Sequence, residues 1–171
     1  MTRASAHWRD CRRGGRGTPP APSCWSFPTA SFSGDTVTLT GGNFSGRESI
    51  PAIAEFQATA GVATYTCTNP QGHASPGQNP VPAQPGPVGT QDLGNADHNG
   101  RGTINDLSAS VSAPPTPSAQ EVGCGGTGNT KWTVTLDTLT ATAAHLEIKQ
   151  AGETVFCRNY TIDGPAIGTA C

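Results

Sequence analysis

The twelve residues from Asn95 to Asp106, Asn-Ala-Asp-His-Asn-Gly-Arg-Gly-Thr-Ile-Asn-Asp, come nearest to a chemical motif. Oxygen-bearing side chains at positions 1, 3 and 5, glycine at 6 and a carboxylate at 12 follow the layout of a calcium loop. A hard cation needs several oxygens, and the chain must turn sharply to supply them. The donors would be Asn95, Asp97, Asn99 and Asp106. Asn95 stands where aspartate is usual, Gly102 where an apolar residue is usual, and Pro114 arrives before an amphipathic helix could form. The plain expectation is therefore a turn at Asn99-Gly100, the strongest short hairpin signal in the chain, with calcium as the sharper alternative.

Other chemistries lack their spacing. His7, His73, His98 and His145 fall in no H-E-x-x-H pattern, and no C-x-x-C pair exists, so no metal centre or cofactor is expected. His145 lies on a polar row with Glu147 and Lys149. His73 follows Cys67 by six residues, but a disulfide-bonded Cys67 is no nucleophile. Gly72-His-Ala-Ser-Pro-Gly77 is not a G-x-S-x-G elbow, and nothing singles out Ser75, His73 and Asp97 as a triad. Glu55, Asp92, Asp106 and Glu121 are scattered, and no two are selected as a glycosidase pair. Gly123-Cys-Gly-Gly-Thr-Gly lacks the Lys-Ser/Thr ending of a phosphate loop. No catalytic residue is assigned.

The cysteines carry a clearer message. Six of them without C-x-x-C spacing argue for disulfides and an oxidising compartment. Fifteen pairings are open. Cys67–Cys124 and Cys157–Cys171 are favoured, because each joins a strand to an otherwise loose Gly/Pro segment. Cys11 and Cys24 either pair with each other or stay free. Such staples suit a chain with 22 Gly, 15 Pro, five Phe and one Met, whose small side chains make a thin core.

Five arginines against Asp10 give the first sixteen residues a charge of +4, while five basic and eleven acidic residues give the remainder −6. An acidic body does not suit nucleic acid, which is bound by neutralising phosphates. No run approaches the length of a transmembrane span, and no secretory signal is visible. Residues 1–30 show neither helical nor strand periodicity and are expected to be a disordered or non-native arm.

The elements that must position these residues are strands. Thr36–Thr40 alternates and ends at Gly41-Gly42-Asn43. Ile50, Ala52, Ala54, Phe56 and Ala58 share one face, with Glu55 and Gln57 opposite. Gly61 reads as a turn into a second strand, Val62 to Thr68, that would pair with the first as a hairpin. Residues 69–90 are dense in proline and glycine and read as a long ordered or semi-extended loop. Leu107, Ala109 and Val111 line another strand. Trp132, Val134 and Leu136 alternate, as do Ala144, Leu146 and Ile148, and a last strand carries Val155 and Cys157. The expectation is an all-β, immunoglobulin-like antiparallel β-sandwich of about seven strands over residues 31–171. Long Pro/Gly loops and disulfide staples would complete it, with Trp132 packed against a disulfide. The domain is expected to be a monomer.

Thr66-Cys-Thr-Asn-Pro-Gln-Gly72, Pro76-Gly-Gln-Asn79, His98-Asn-Gly-Arg101 and Gly123-Cys124 with Asn129-Thr-Lys-Trp-Thr-Val134 resemble a group of small secreted proteins from high-GC Gram-positive bacteria. The eight arginines against two lysines agree with a GC-rich genome. Gln71 and His73 stand where glycine and asparagine are more typical of that group. The resemblance covers residues 31–171; it implies secretion and a β fold, and carries over no catalytic residue. The expected function is a secreted or cell-surface, non-catalytic domain that contacts a protein or envelope partner through its long loops. The candidate contact residues are Asn69, Gln71, His73 and Gln78. The alternative is a secreted hydrolase, or a hydrolase inhibitor presenting the disulfide-anchored loop.

Overall fold

The computed structural model describes residues 26–45, 51–95, 101–125 and 131–171. In chain order its strands are β1 (Thr29–Ser33), β2 (Thr36–Thr40), β3 (Asn43–Ser45), β4 (Pro51–Thr68), β5 (Ala74–Pro76), β6 (Val81–Pro82), β7 (Gly89–Asn95), β8 (Arg101–Thr103), β9 (Leu107–Ser110), β10 (Thr133–Gln150), β11 (Glu153–Thr161) and β12 (Thr169–Ala170). No helix occurs among the described residues. One sheet runs β12-β11-β10-β4-β5, with β6 and β7 also paired to β4. A second runs β1-β2-β9, and β3 pairs β8. All of these pairings are antiparallel.

The axis of the fold is the pair β4 and β10, each 18 residues long, or about 60 Å at the usual rise per strand residue. The expected hairpin at Gly61 does not form; the chain passes straight through it. Ala52, Ala54, Phe56 and Ala58 face the core, and then Gly61, Ala63, Tyr65 and Cys67 do so one residue out of step. This change of phase is a bulge. Ala58 pairs with Ala144, Ala60 with Ala143 and Gly61 with Ala141, so Thr59 and Thr142 drop out of register. A two-residue hairpin turn needs left-handed backbone, and Gly61 is not among the residues with positive φ. β10 likewise joins the two stretches expected as separate strands, with a bulge between Leu136 and Thr138, and Leu136 faces solvent. Merging these pairs removes two of the seven expected strands, while short strands elsewhere bring the number to twelve among the described residues.

The 69–90 stretch is also less loop-like than its composition suggests. β5, β6 and the start of β7 pair in succession with β4, with their prolines at strand ends and edges. β7 and β8, which flank Asn99-Gly100, take β4 and β3 as partners and make no hairpin with each other. Residues 96–100 lie outside the described residues.

The main core draws Val37 and Leu39 from β2 and Leu107 and Ala109 from β9. Against them stand Phe56 and three alanines from β4, Leu146 and Ile148 from β10, and Tyr160 from β11. Phe56 and Tyr160 meet edge to face, with ring centroids 6.4 Å apart. A smaller cluster lies farther along β4, with Tyr65, Cys67, Val122 and Cys124 at its centre and Trp132 packed on it.

The described residues begin before Ser31, and β1 starts at Thr29. Ser26 bridges Asn43, and Phe27 stacks on Phe156. The Tyr160 hydroxyl donates to the Pro28 carbonyl at 3.3 Å, and the Arg158 guanidinium lies 3.9 Å from the Phe27 ring centroid. Cys11 and Cys24 lie outside the described residues.

Candidate functional site

Cys67 is bonded to Cys124 and Cys157 to Cys171, with Cα separations of 6.2 and 5.8 Å. The first disulfide is buried; the second is not, with Cys171 exposed and Cys157 half-buried.

The Cys67 staple fixes the segment that follows it. Asn69 Oδ1 accepts from the backbone N–H of Gln71 at 3.0 Å and of His73 at 2.8 Å, an Asx-type turn. Gly72 completes the turn with φ at 84°. Beyond it, Gly77 N–H donates to Tyr65 O at 2.7 Å and Gln78 N–H to Val122 O at 2.8 Å. Gln71, His73 and Gln78 are exposed, whereas Asn69 is half-buried and serves the turn. Three of the four candidates are thus solvent-exposed, and the fourth holds the turn.

The segment holding Cys124 is shaped by a signal that sequence reading passed over, Ser118-Ala-Gln-Glu121. Ser118 N–H and hydroxyl donate to Glu121 Oε2 at 2.7 and 2.8 Å, and Glu121 N–H returns to Ser118 Oγ at 3.3 Å. This is the reciprocal bonding of a capping box, around a single tight turn. The backbone and hydroxyl bonds from Ser118 hold the Glu121 carboxyl below its ordinary range. Gly123 closes the turn at φ 75°, and Cys124 N–H reaches back to Ala119 O at 2.7 Å. Val122 and Cys124 are thereby aimed into the small core.

A second constellation lies on the solvent face of β4, β10 and β11. Register places Glu55 beside Glu147, and Glu147 beside Cys157; Gln57, His145 and Asn159 form the adjacent row. Lys149 Nζ lies 2.7 Å from Glu55 Oε2 and 3.3 Å from Glu147 Oε2. Hydrogen bonds to Glu55 and then Glu147 raise the Lys149 ammonium above its ordinary range. Burial pushes the Glu147 carboxyl up, but hydrogen bonds and charges from Lys149 and His145 together hold it below its usual range. His145 Nδ1 lies 2.7 Å from Asn159 Oδ1, and Nε2 lies 3.5 Å from Glu147 Oε1. Both carboxylates face the Lys149 ammonium. The pairing of Glu55 with Glu147 is not legible in the sequence, because it depends on the register of two strands about ninety positions apart. The visible hint is that Glu55-x-Gln57 and His145-x-Glu147-x-Lys149 alternate with complementary charge.

Of the calcium-loop residues, Asp97 and Asn99 lie outside the described residues. Asn95 ends β7, and Asp106 is exposed with φ at 39°. Among the described residues no three His, Cys, Asp or Glu side chains gather closely enough to hold a metal ion, and no helix is long and apolar enough to cross a membrane. Compared with protein-family models, curated proteins and solved structures, the chain matches none.

Proposed function

We propose that this is a secreted or cell-surface, non-catalytic domain, a disulfide-stapled β-sandwich of immunoglobulin-like kind. It contacts a protein or cell-envelope partner through its long loops, foremost residues 69–80, and works as a monomer. The sandwich reading is supported by the core that β2 and β9 share with β4, β10 and β11. Secretion is supported by the two disulfides, since such bonds persist in oxidising compartments. The resemblance to small secreted proteins of high-GC Gram-positive bacteria points the same way.

One observation carries the binding reading. The 69–80 segment is exposed, yet its backbone is bonded to Asn69, Tyr65 and Val122 and pinned behind by Cys67–Cys124. A surface ordered before it meets its partner loses less entropy on association. The test uses the full chain, immobilised and exposed to culture supernatant and cell-wall fragments, beside a Gln71→Ala/His73→Ala/Gln78→Ala variant. A single saturable partner retained by the parent and lost by the variant supports the reading. Equal retention by both, or turnover of glycan or peptide substrates, overturns it.

The same fastened loop favours one further reading, inhibition of a hydrolase, because inhibitors present rigid loops to active sites. Titrating secreted peptidases and glycosidases with the protein checks it; loss of enzyme activity that the triple variant abolishes would support inhibition.

A further inference from the structure

The two described disulfides differ in their surroundings, and the difference has a chemical direction. Cys67–Cys124 is enclosed by Tyr65, Val122 and Trp132, with Cys67 fully buried. Cys157–Cys171 lies on the solvent face, and Cys171 Sγ is 4.0 Å from His145 Nδ1. That nitrogen also faces Asn159 Oδ1 at 2.7 Å, and an amide oxygen in that place favours the tautomer with the proton on Nδ1. Glu147 Oε1 faces the other ring nitrogen at 3.5 Å, so an oxygen acceptor stands opposite each nitrogen of the ring. Cys157 has different company, since on β11 it stands opposite Glu147 in the strand register. A thiolate expelled from Cys171 would form 4.0 Å from a ring nitrogen able to donate a proton, whereas Cys157 stands opposite an acidic residue.

We propose that Cys157–Cys171 is a thiol-exchange site, with Cys171 as the leaving group and His145 as its proton donor. An external thiolate adds to Cys157 Sγ. The Cys157–Cys171 bond breaks, and Cys171 departs with the electron pair and takes the His145 Nδ1 proton. His145 is then reprotonated from solvent. A second thiol of a dithiol partner displaces Cys157, so the partner is oxidised to its disulfide and the protein is reduced to two thiols. Exchange rates rise as the leaving thiol becomes a weaker base, which is what proton donation from His145 would contribute. The C-terminal segment is also held by bonds that do not involve the disulfide. Arg158 and Asn159 pair with Ala170 and Thr169, and Arg158 Nη2 donates to Gly168 O at 2.7 Å.

Facing His145 are Glu147 on its own strand, the uncharged Gln57 on β4 and Asn159 on β11, and Cys171; Lys149 and Glu55 act through Glu147. The full-length protein is treated with reduced glutathione across about pH 5–8, the range in which imidazole titrates. Samples are quenched with iodoacetamide and mapped by mass spectrometry. The expected product carries glutathione on Cys157 and the alkyl group on Cys171, with Cys67–Cys124 intact. The opening rate per thiolate should rise toward acid pH. His145→Gln should slow opening roughly three- to tenfold at the acid end and flatten the profile. Glu147→Gln, an independent variant of the same shape, should displace the profile toward lower pH. Adduct on Cys171, opening of Cys67–Cys124 at an equal rate, or a profile unchanged in both variants overturns the assignment.

Discussion

Gly61 lies against Thr140 across the central strand pair so closely that a Cβ at Gly61 would sit 2.6 Å from the Thr140 carbonyl oxygen. Val111 Cγ2 and Ala83 Cβ, at 3.0 and 3.1 Å from the same point, close the other sides. The glycine is required by contact and not by backbone dihedral, and it stands at the bulge where β4 changes phase. Gly61→Ala should destabilise the domain by about 1–3 kcal/mol, because backbone cannot yield as a side chain can. Urea unfolding would show a lower midpoint with unchanged slope.

That glycine also marks where the sequence is legible and where it is not. Alternation identifies both halves of β4, because Ala52 to Ala58 and Ala63 to Cys67 each bury every second residue. It cannot tell a bulge from a turn, since both shift the phase of the pattern by one. The outcome depends on β10, a partner long enough to pair with both halves. The outward face of 69–80 was legible from its polar composition, whereas the role of Asn69 was not, because an Asx turn and a contact residue call for the same amide. Ser118-x-x-Glu121 was readable in principle, but it serves a single turn with no helix to announce it.

The turn joining β10 to β11 holds Ala151 at φ 52° and Gly152 at φ 81°. Two consecutive left-handed residues define the tight hairpin turn that favours Asn-Gly. Alanine in that conformation costs about 1–2 kcal/mol through its Cβ, and no packing requirement for it is evident at this exposed corner. Ala151→Asn should raise stability by about 1 kcal/mol, or roughly 2–4 °C in thermal midpoint for a domain of this size.

Cys67 and Cys124 are separated by 57 positions and Cys157 and Cys171 by 14. Loop-closure entropy assigns about 4 kcal/mol to the first bond and about 3 to the second. Replacing Cys67 and Cys124 by alanine should therefore lower the denaturation midpoint more than the same change at Cys157 and Cys171. The first change also releases the 69–80 surface. Limited proteolysis should nick that segment in the Cys67→Ala/Cys124→Ala protein and spare it in the other double variant.

Tyr160 on β11 reaches the segment that leads into β1, packed on Phe56 and bonded to the Pro28 carbonyl. Burial pushes its phenol up to about 12, with only a partial offset from the charge of Arg158. The unfolded chain would release this proton near pH 10. Below that value both states keep the proton, and the stabilisation is complete. Between about pH 10 and 12 the unfolded state ionises while the folded state resists, so stability falls as pH rises. The loss reaches roughly 2–3 kcal/mol once the folded phenol also ionises. Tyr160→Phe keeps the ring packing and removes the titration, so its stability should stay flatter over the same interval. Rapid denaturant titrations at several alkaline pH values, completed before disulfide exchange sets in, would show the two proteins diverging. Parallel curves would mean that the phenol already reaches solvent in the folded state.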